Sequence, residues 1–136
     1  MVTAPQLPQE HCAAVRYPLK RDTLWTQQYL HNSVTAALGD VRRVMTTVSA
    51  RPLAGPVAPG EYGYNHEKAK LQSSISHLKE VLGSTKKSSQ EWSQLNEIIK
   101  KLRRASHYSI HIDEVTDALT SLSAFERRAF GDVSPT

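Results

Sequence analysis

Cysteine occurs once in this chain of 136 residues, at Cys12. A single thiol closes no internal disulfide and builds no cysteine-based metal site. It suits a reducing compartment, and as a nucleophile it would need a placed base and a stabilised thiolate. Aromatic side chains are also scarce: two Trp, five Tyr and two Phe. Few of them are placed to stack on bases, so a platform for single-stranded nucleic acid is poorly provided. No stretch approaches the roughly 18 consecutive apolar residues of a membrane-spanning helix. The first residues carry Glu10, His11 and prolines, not the basic start and apolar core of a secretory signal. No glycine-rich loop ends in Lys-Ser or Lys-Thr, which leaves no phosphate cradle of the nucleotide-binding kind. Net charge is also modest at +4, so attraction to phosphate would have to come from local clustering. The expectation is a cytoplasmic or nuclear protein, or a virion component.

What the chain does contain is helical periodicity. Residues 1–21 hold prolines at 5, 8 and 18 and no sustained period, and read as an extended arm. Asp22 or Thr23 can then cap a long amphipathic helix over 22–50. Its apolar residues Leu30, Val34, Leu38, Val41, Met45 and Val48 recur at spacings of 4, 4, 3, 4 and 3, a heptad-like seam. Gly39 falls inside it, at a cost of about 1 kcal/mol against alanine, and suggests a bend. Residues 51–64 carry three prolines and three glycines and form a linker, anchored to the body by Val57, Tyr62 and Tyr64.

Residues 65–131 read as a unit of three shorter helices. Asn65 caps the first, with Leu71, Ile75, Leu78 and Leu82 on one face and Gly83 at its end. Ser88 with Glu91 forms a capping box for the second, whose face is Trp92, Leu95, Ile98, Ile99 and Leu102. The segment SHYSIHI, 106–112, alternates too briefly to specify a strand. Asp113 caps the last helix, with Val115, Leu119, Leu122 and Phe125 inward and Gly131 as its stop. Residues 132–136 are a tail. The fold class is therefore all-α: a bundle of about four helices, one long and three shorter and antiparallel. Trp92, Leu95, Leu102, Leu119 and Leu122 are the expected core of the short-helix unit. At 1.5 Å per residue, the first helix would outrun its neighbours by roughly 13 Å. On that ground Leu30, Val34, Leu38, Val41, Met45 and Val48 are expected to face a partner or a shared core.

Positive charge gathers at Lys100, Lys101, Arg103 and Arg104, with Lys86-Lys87 twelve residues upstream and Arg42-Arg43 in the long helix. In the last turns of a helix such cations complement the macrodipole. They also make a candidate contact for phosphate or an acidic partner. The Lys86-Lys87 and KKLRR pair has the spacing of a two-part nuclear-import signal, although such signals are read as extended chain and this spacer is helical. The stretch RRAS places Ser106 in a basic-directed phosphorylation pattern, with Ser134-Pro135 a weaker one. His107 and His111 lie four apart but lack a third strong ligand, so no metal site is expected. Carboxylates cluster at helix starts (Asp22, Glu67, Glu91, Asp113, Glu114), where dipole and capping account for them. No nucleophile, histidine and carboxylate group together, and neither catalysis nor a cofactor is expected. The reading that follows is a non-catalytic helical interaction subunit, an adaptor or scaffold within a larger assembly, whose partners are other protein chains bound through helices. The alternative is a small basic helical protein associated with nucleic acid through the KKLRR cluster.

Overall fold

A computed structural model describes residues 17–20, 24–51 and 55–131, apart from the side chains of Leu24 and Trp25. Cys12, most of the N-terminal arm, the Asp22 and Thr23 caps, Ser134-Pro135 and the tail lie outside the described residues. Four helices follow one another: α1 (Leu24–Ser49), α2 (Tyr64–Gly83), α3 (Gln90–Ala105) and α4 (Ile112–Phe130). They make an all-α four-helix bundle. Each helix packs on its sequence neighbours, and α1 packs on α4 to close the ring, so α1 and α3 stand at diagonal corners. The α1–α2 linker and the α3–α4 loop share one end of the bundle, and the α2–α3 loop lies at the other. No helix among the described residues is long and apolar enough to cross a membrane.

The α1 seam is spent inside the chain. Leu30, Val34, Leu38, Val41 and Val48 are buried, Val41 to 0% exposure, and Met45 is half-buried with its sulfur 3.6 Å from the Thr116 hydroxyl. Of the two expectations for the seam, a partner or a shared core, the burial fits a core, and that core is formed within this chain. Helix lengths alone do not measure the cover available to α1. α1, about 39 Å long, does outrun α2 and α4 at about 30 Å, but non-helical chain plugs both ends. Near its start, the Gln27 amide donates to the Tyr17 carbonyl at 3.1 Å, and Tyr17 and Leu19 are each 2% exposed. Near its finish, Val57 from the linker is buried and pairs its backbone with Ile110, both N–H···O distances being 2.9 Å.

Tyr17 and Leu19 therefore belong to the body and not to an extended arm. Leu19 bridges to Thr85 across the α2–α3 loop, and the Tyr17 and Thr85 hydroxyls share a 2.8 Å hydrogen bond. The Phe130 ring lies between Tyr17 and His31, with ring centroids 4.8 and 4.5 Å away and nearly parallel planes. His31 also reaches Glu126 at 3.2 Å, joining α1 to α4.

Local boundaries shift by a residue where chemistry decides them. The α3 cap is Ser89, whose hydroxyl accepts from the Trp92 N–H at 3.1 Å, so Ser88 and Glu91 do not form the capping box. α2 starts at Tyr64 behind Gly63, whose φ of 87° suits glycine, and not behind Asn65. His111 precedes α4 with no side-chain cap, while Asp113 and Glu114 sit in its first turn. Gly131, at φ 68°, ends α4. α1 runs unbroken through Gly39. Trp92 and Leu119 are only partly buried, whereas Leu95, Leu102 and Leu122 lie in the core.

Because the seam is internal, Val41→Asp is expected to abolish helicity and cooperative melting at any protein concentration. A variant that stays fully helical and changes only its oligomeric state would return the seam to an interface. A second expectation concerns alkali. Burial pushes the Tyr17 phenol from 10.0 up to about 12. The unfolded chain therefore ionises first as pH rises, and stability present below pH 10 is lost through pH 12, by up to about 2–3 kcal/mol. Tyr17→Phe should lose about 1 kcal/mol at neutral pH with its hydrogen bond and show a shallower decline above pH 10 in urea unfolding series.

Candidate functional site

The basic residues do not converge. Lys86 and Lys87 sit before α3 and Arg103 and Arg104 at its far end, about 24 Å away, while Arg42 and Arg43 lie on the diagonal helix. Most of the charges are also already met. Lys100 pairs with Glu97 at 3.5 Å, Lys101 with Asp117 at 3.1 Å, Arg104 with Glu114 at 3.5 Å and Arg43 with Asp40 at 2.9 Å. Lys87 lies over the Trp92 ring, 5.8 Å from its centroid. These exposed pairs add little stability each, but they flatten the field that a phosphate backbone would feel. The spacer between the two basic clusters is α3, with Leu95, Ile98, Ile99 and Leu102 in the core, so an import receptor could read it as extended chain only after unfolding. Ser106 is also misplaced for a kinase: it is 6% exposed and its hydroxyl donates to the Leu102 carbonyl at 3.0 Å. His107 and His111 are exposed on the α3–α4 loop, and no group of three metal-ligating side chains forms among the described residues.

The feature that stands out lies at the other side of that same end. There the last turn of α1, the linker and the first turn of α2 enclose a cleft of about 660 Å³. Val48, Arg51, Val57, Glu61, Tyr62 and Glu67 are among its lining residues. The linker is held by a fork. The Arg51 guanidinium donates to both Glu61 oxygens, at 3.2 and 2.9 Å, and to the Gly55 carbonyl at 3.2 Å. Glu61 in turn accepts from the Ala58 N–H at 2.6 Å. Both bonds to Glu61 come from one nitrogen, Nη2, and the bond to Gly55 from Nη1, so one charged group ties Arg51, Gly55 and Glu61 together. The wall of the cleft is thus tied down and its Arg51 charge is neutralised within it.

Glu67 is the exception. It is 4% exposed, and its Oε1 is buried with no hydrogen-bond partner among the described residues. The nearest cation is the Lys70 ammonium at 3.8 Å, beyond hydrogen-bond reach. Buried carboxylates normally collect several donors, since each uncompensated one costs heavily in desolvation. Tyr62, on the rim, is fully exposed at 102%. Below it Tyr64 is buried, its hydroxyl donating to the Tyr108 carbonyl at 2.5 Å and accepting from Lys68 at 3.0 Å.

By sequence position Glu67 is one of the helix-start carboxylates. A signal was nevertheless present: the buried stripe of α2 is Tyr64, Glu67, Leu71, Ser74, Leu78 and Val81, a strict 3-4 alternation in which Glu67 holds a core position. Ile75 and Leu82, expected inward, flank that stripe and are partly buried. Replacing an orphaned buried acid by an apolar side chain of similar length relieves its desolvation. Glu67→Met is expected to raise unfolding free energy by about 1–3 kcal/mol, read by urea titration; a loss of stability would mean that Lys70 closes onto the carboxylate. Comparison of the chain with family models, with curated proteins and with solved structures gave no match in any of the three.

Proposed function

We propose that this chain is a non-catalytic helical interaction subunit that recognises other protein chains through the end of the bundle formed by 55–67 and 106–111. The observation that carries this reading is a pair of exposed tyrosines held on a fixed base. Tyr62 is 102% and Tyr108 70% exposed, each on a loop that would be free to bury a large apolar ring inward. The two loops are joined instead by the Val57–Ile110 backbone pair and by the Tyr64 hydroxyl bond to Tyr108. Tyrosine presents a large amphipathic surface at low entropic cost and is enriched where partners bind. A pre-ordered base lowers the conformational cost of association. The adaptor role moves in this reading from the α1 seam, which is buried, to the loop end.

Photo-crosslinking in the native cell tests it. A photoreactive phenylalanine at position 62 or 108 is expected to give discrete adducts with the same partner chain. The same group at Lys79, exposed on α2 towards the opposite end, should give none. Equal yields at all three positions, or none, would remove the reading. The nucleic-acid alternative predicts retention on a duplex column that weakens steeply with salt, by a log–log slope of about 0.9 per phosphate neutralised; the paired and scattered cations lead us to expect no such dependence.

A further inference from the structure

We infer that the α1–linker–α2 cleft is a receptor for an alkylammonium or guanidinium group, with Glu67 as its anionic floor and Tyr62 as its aromatic rim. The inference deepens the reading of this end as the recognition end and rests on it, but is tested by a different measurement.

Three features of the cleft point to a cation. Its floor offers an acceptor without a donor: Glu67 Oε1 is enclosed and receives no hydrogen bond. An ionised carboxylate only accepts, so the group that completes it must donate, and a charged donor compensates its desolvation best. Of the other lining charges, Arg51 and Glu61 hold each other, so that pair adds no net charge. His66 and Lys70 also line the cleft, and the Lys70 ammonium is the one that stands near Oε1. Tyr62 is among the residues that line the cleft and is fully exposed, so its ring is free to fold over a bound group. An aromatic face over a cation that a carboxylate holds is an arrangement that recognises ammonium and guanidinium groups, through the ring quadrupole and through charge.

Lys70 competes with such a ligand. Its ammonium stands 3.8 Å from Oε1, close enough to feel the charge but too far to donate to it. The lysine sits one turn along α2 at the cleft lining, with its side chain 21% exposed, and its flexible stem lets the ammonium swing to solvent when another cation enters. Removing the Lys70 charge should therefore tighten binding, which a purely structural ion pair does not predict.

The test is an amide NMR titration of the full chain with n-butylammonium and n-butylguanidinium, against n-butanol and butyrate as neutral and anionic controls. Saturable shifts confined to Thr47–Arg51 and Glu61–Lys70 are expected from the two cations alone. Glu67→Gln, which keeps shape and removes charge, should abolish them. Tyr62→Leu should weaken binding by about two- to fivefold, and Lys70→Gln should tighten it by about two- to fivefold. A response shared with butanol, a response that survives Glu67→Gln, or tightening absent in Lys70→Gln would overturn the proposal. If amines leave the spectrum unchanged while Glu67→Gln destabilises the fold, Lys70 is the resident partner and the cleft is no receptor. Two sources of the group are separated by a short peptide with one lysine and its N-acetyl-lysine counterpart. Tighter binding of the lysine peptide than of n-butylammonium assigns the cation to a partner chain; equal or weaker binding assigns it to a free small amine. Adducts from position 62 without any amine response would leave the recognition end standing and remove only the receptor.

Discussion

The structure depends on one constraint: α1 is apolar along nearly its whole length and must be covered along nearly its whole length. Its buried apolar residues run from Leu30 to Val48, and no single neighbouring helix covers more than one side of them. Two helices cover the middle, α2 on one side and α4 on the other. Extended chain covers the ends. The Tyr17–Leu19 segment closes the start and the Val57–Ile110 pair the finish. Removal of either plug would expose large apolar side chains, so the linkers here belong to the core as fully as the helices do.

The plugs also divide the molecule into unlike ends. At one, Tyr17, Phe130 and His31 stack, and Thr85 joins Tyr17, so polar groups and rings find partners within the chain. At the other, Tyr62 and Tyr108 point away from the body while the backbone beneath them is paired. Both ends are therefore fastened, but the linker end carries the two most exposed aromatic rings among the described residues. Tyr29 at the other end, 41% exposed, gives its hydroxyl to Glu80 at 2.9 Å. That asymmetry, and not a charge pattern, is what distinguishes one part of this surface from another. Of the clustered cations, Arg43, Lys100, Lys101 and Arg104 are spent on neighbouring carboxylates.

How much of this could be read beforehand follows the range of the interactions. Helix positions came from spacing of 3 and 4, which is local, and the four helices and the Gly131 stop were legible for that reason. The caps were legible to within a residue: Ser88 and Ser89 offer the same hydroxyl, and only the final geometry selects Ser89. Which chain covers a seam is a different matter, since it depends on segments distant in sequence. Tyr17 meets Thr85 across 68 positions, and no local pattern marks a proline-flanked tyrosine as core. The linker's Val57 was recognisable as an anchor but its partner, Ile110, was not, because a single backbone pair has no periodicity. Glu67 was misread for the opposite reason. Its position near a helix start supplied a sufficient local explanation, and the core register that it shares with Leu71 and Ser74 was overlooked.

That register makes Glu67 unlike the buried hydroxyl residues of the bundle. Ser74, Thr85 and Ser106 each turn a hydroxyl back to a carbonyl three or four residues earlier, at 2.7, 2.6 and 3.0 Å. A hydroxyl can do so because it donates, and helix carbonyls have a lone pair to spare. A carboxylate has no such exit. It needs a donor, and its own N–H is given to the Gly63 carbonyl at 2.9 Å. An acid in a core register is thus satisfied only by a donor that another side chain or a ligand brings to it. Among the described residues the Lys70 ammonium, one turn along the same helix, comes to 3.8 Å from Oε1, just beyond hydrogen-bond reach, beside a cleft that opens to solvent. Leucine or methionine at that position would fill the register with no polar group left unmet. A carboxylate there makes physical sense where a donor arrives to complete it.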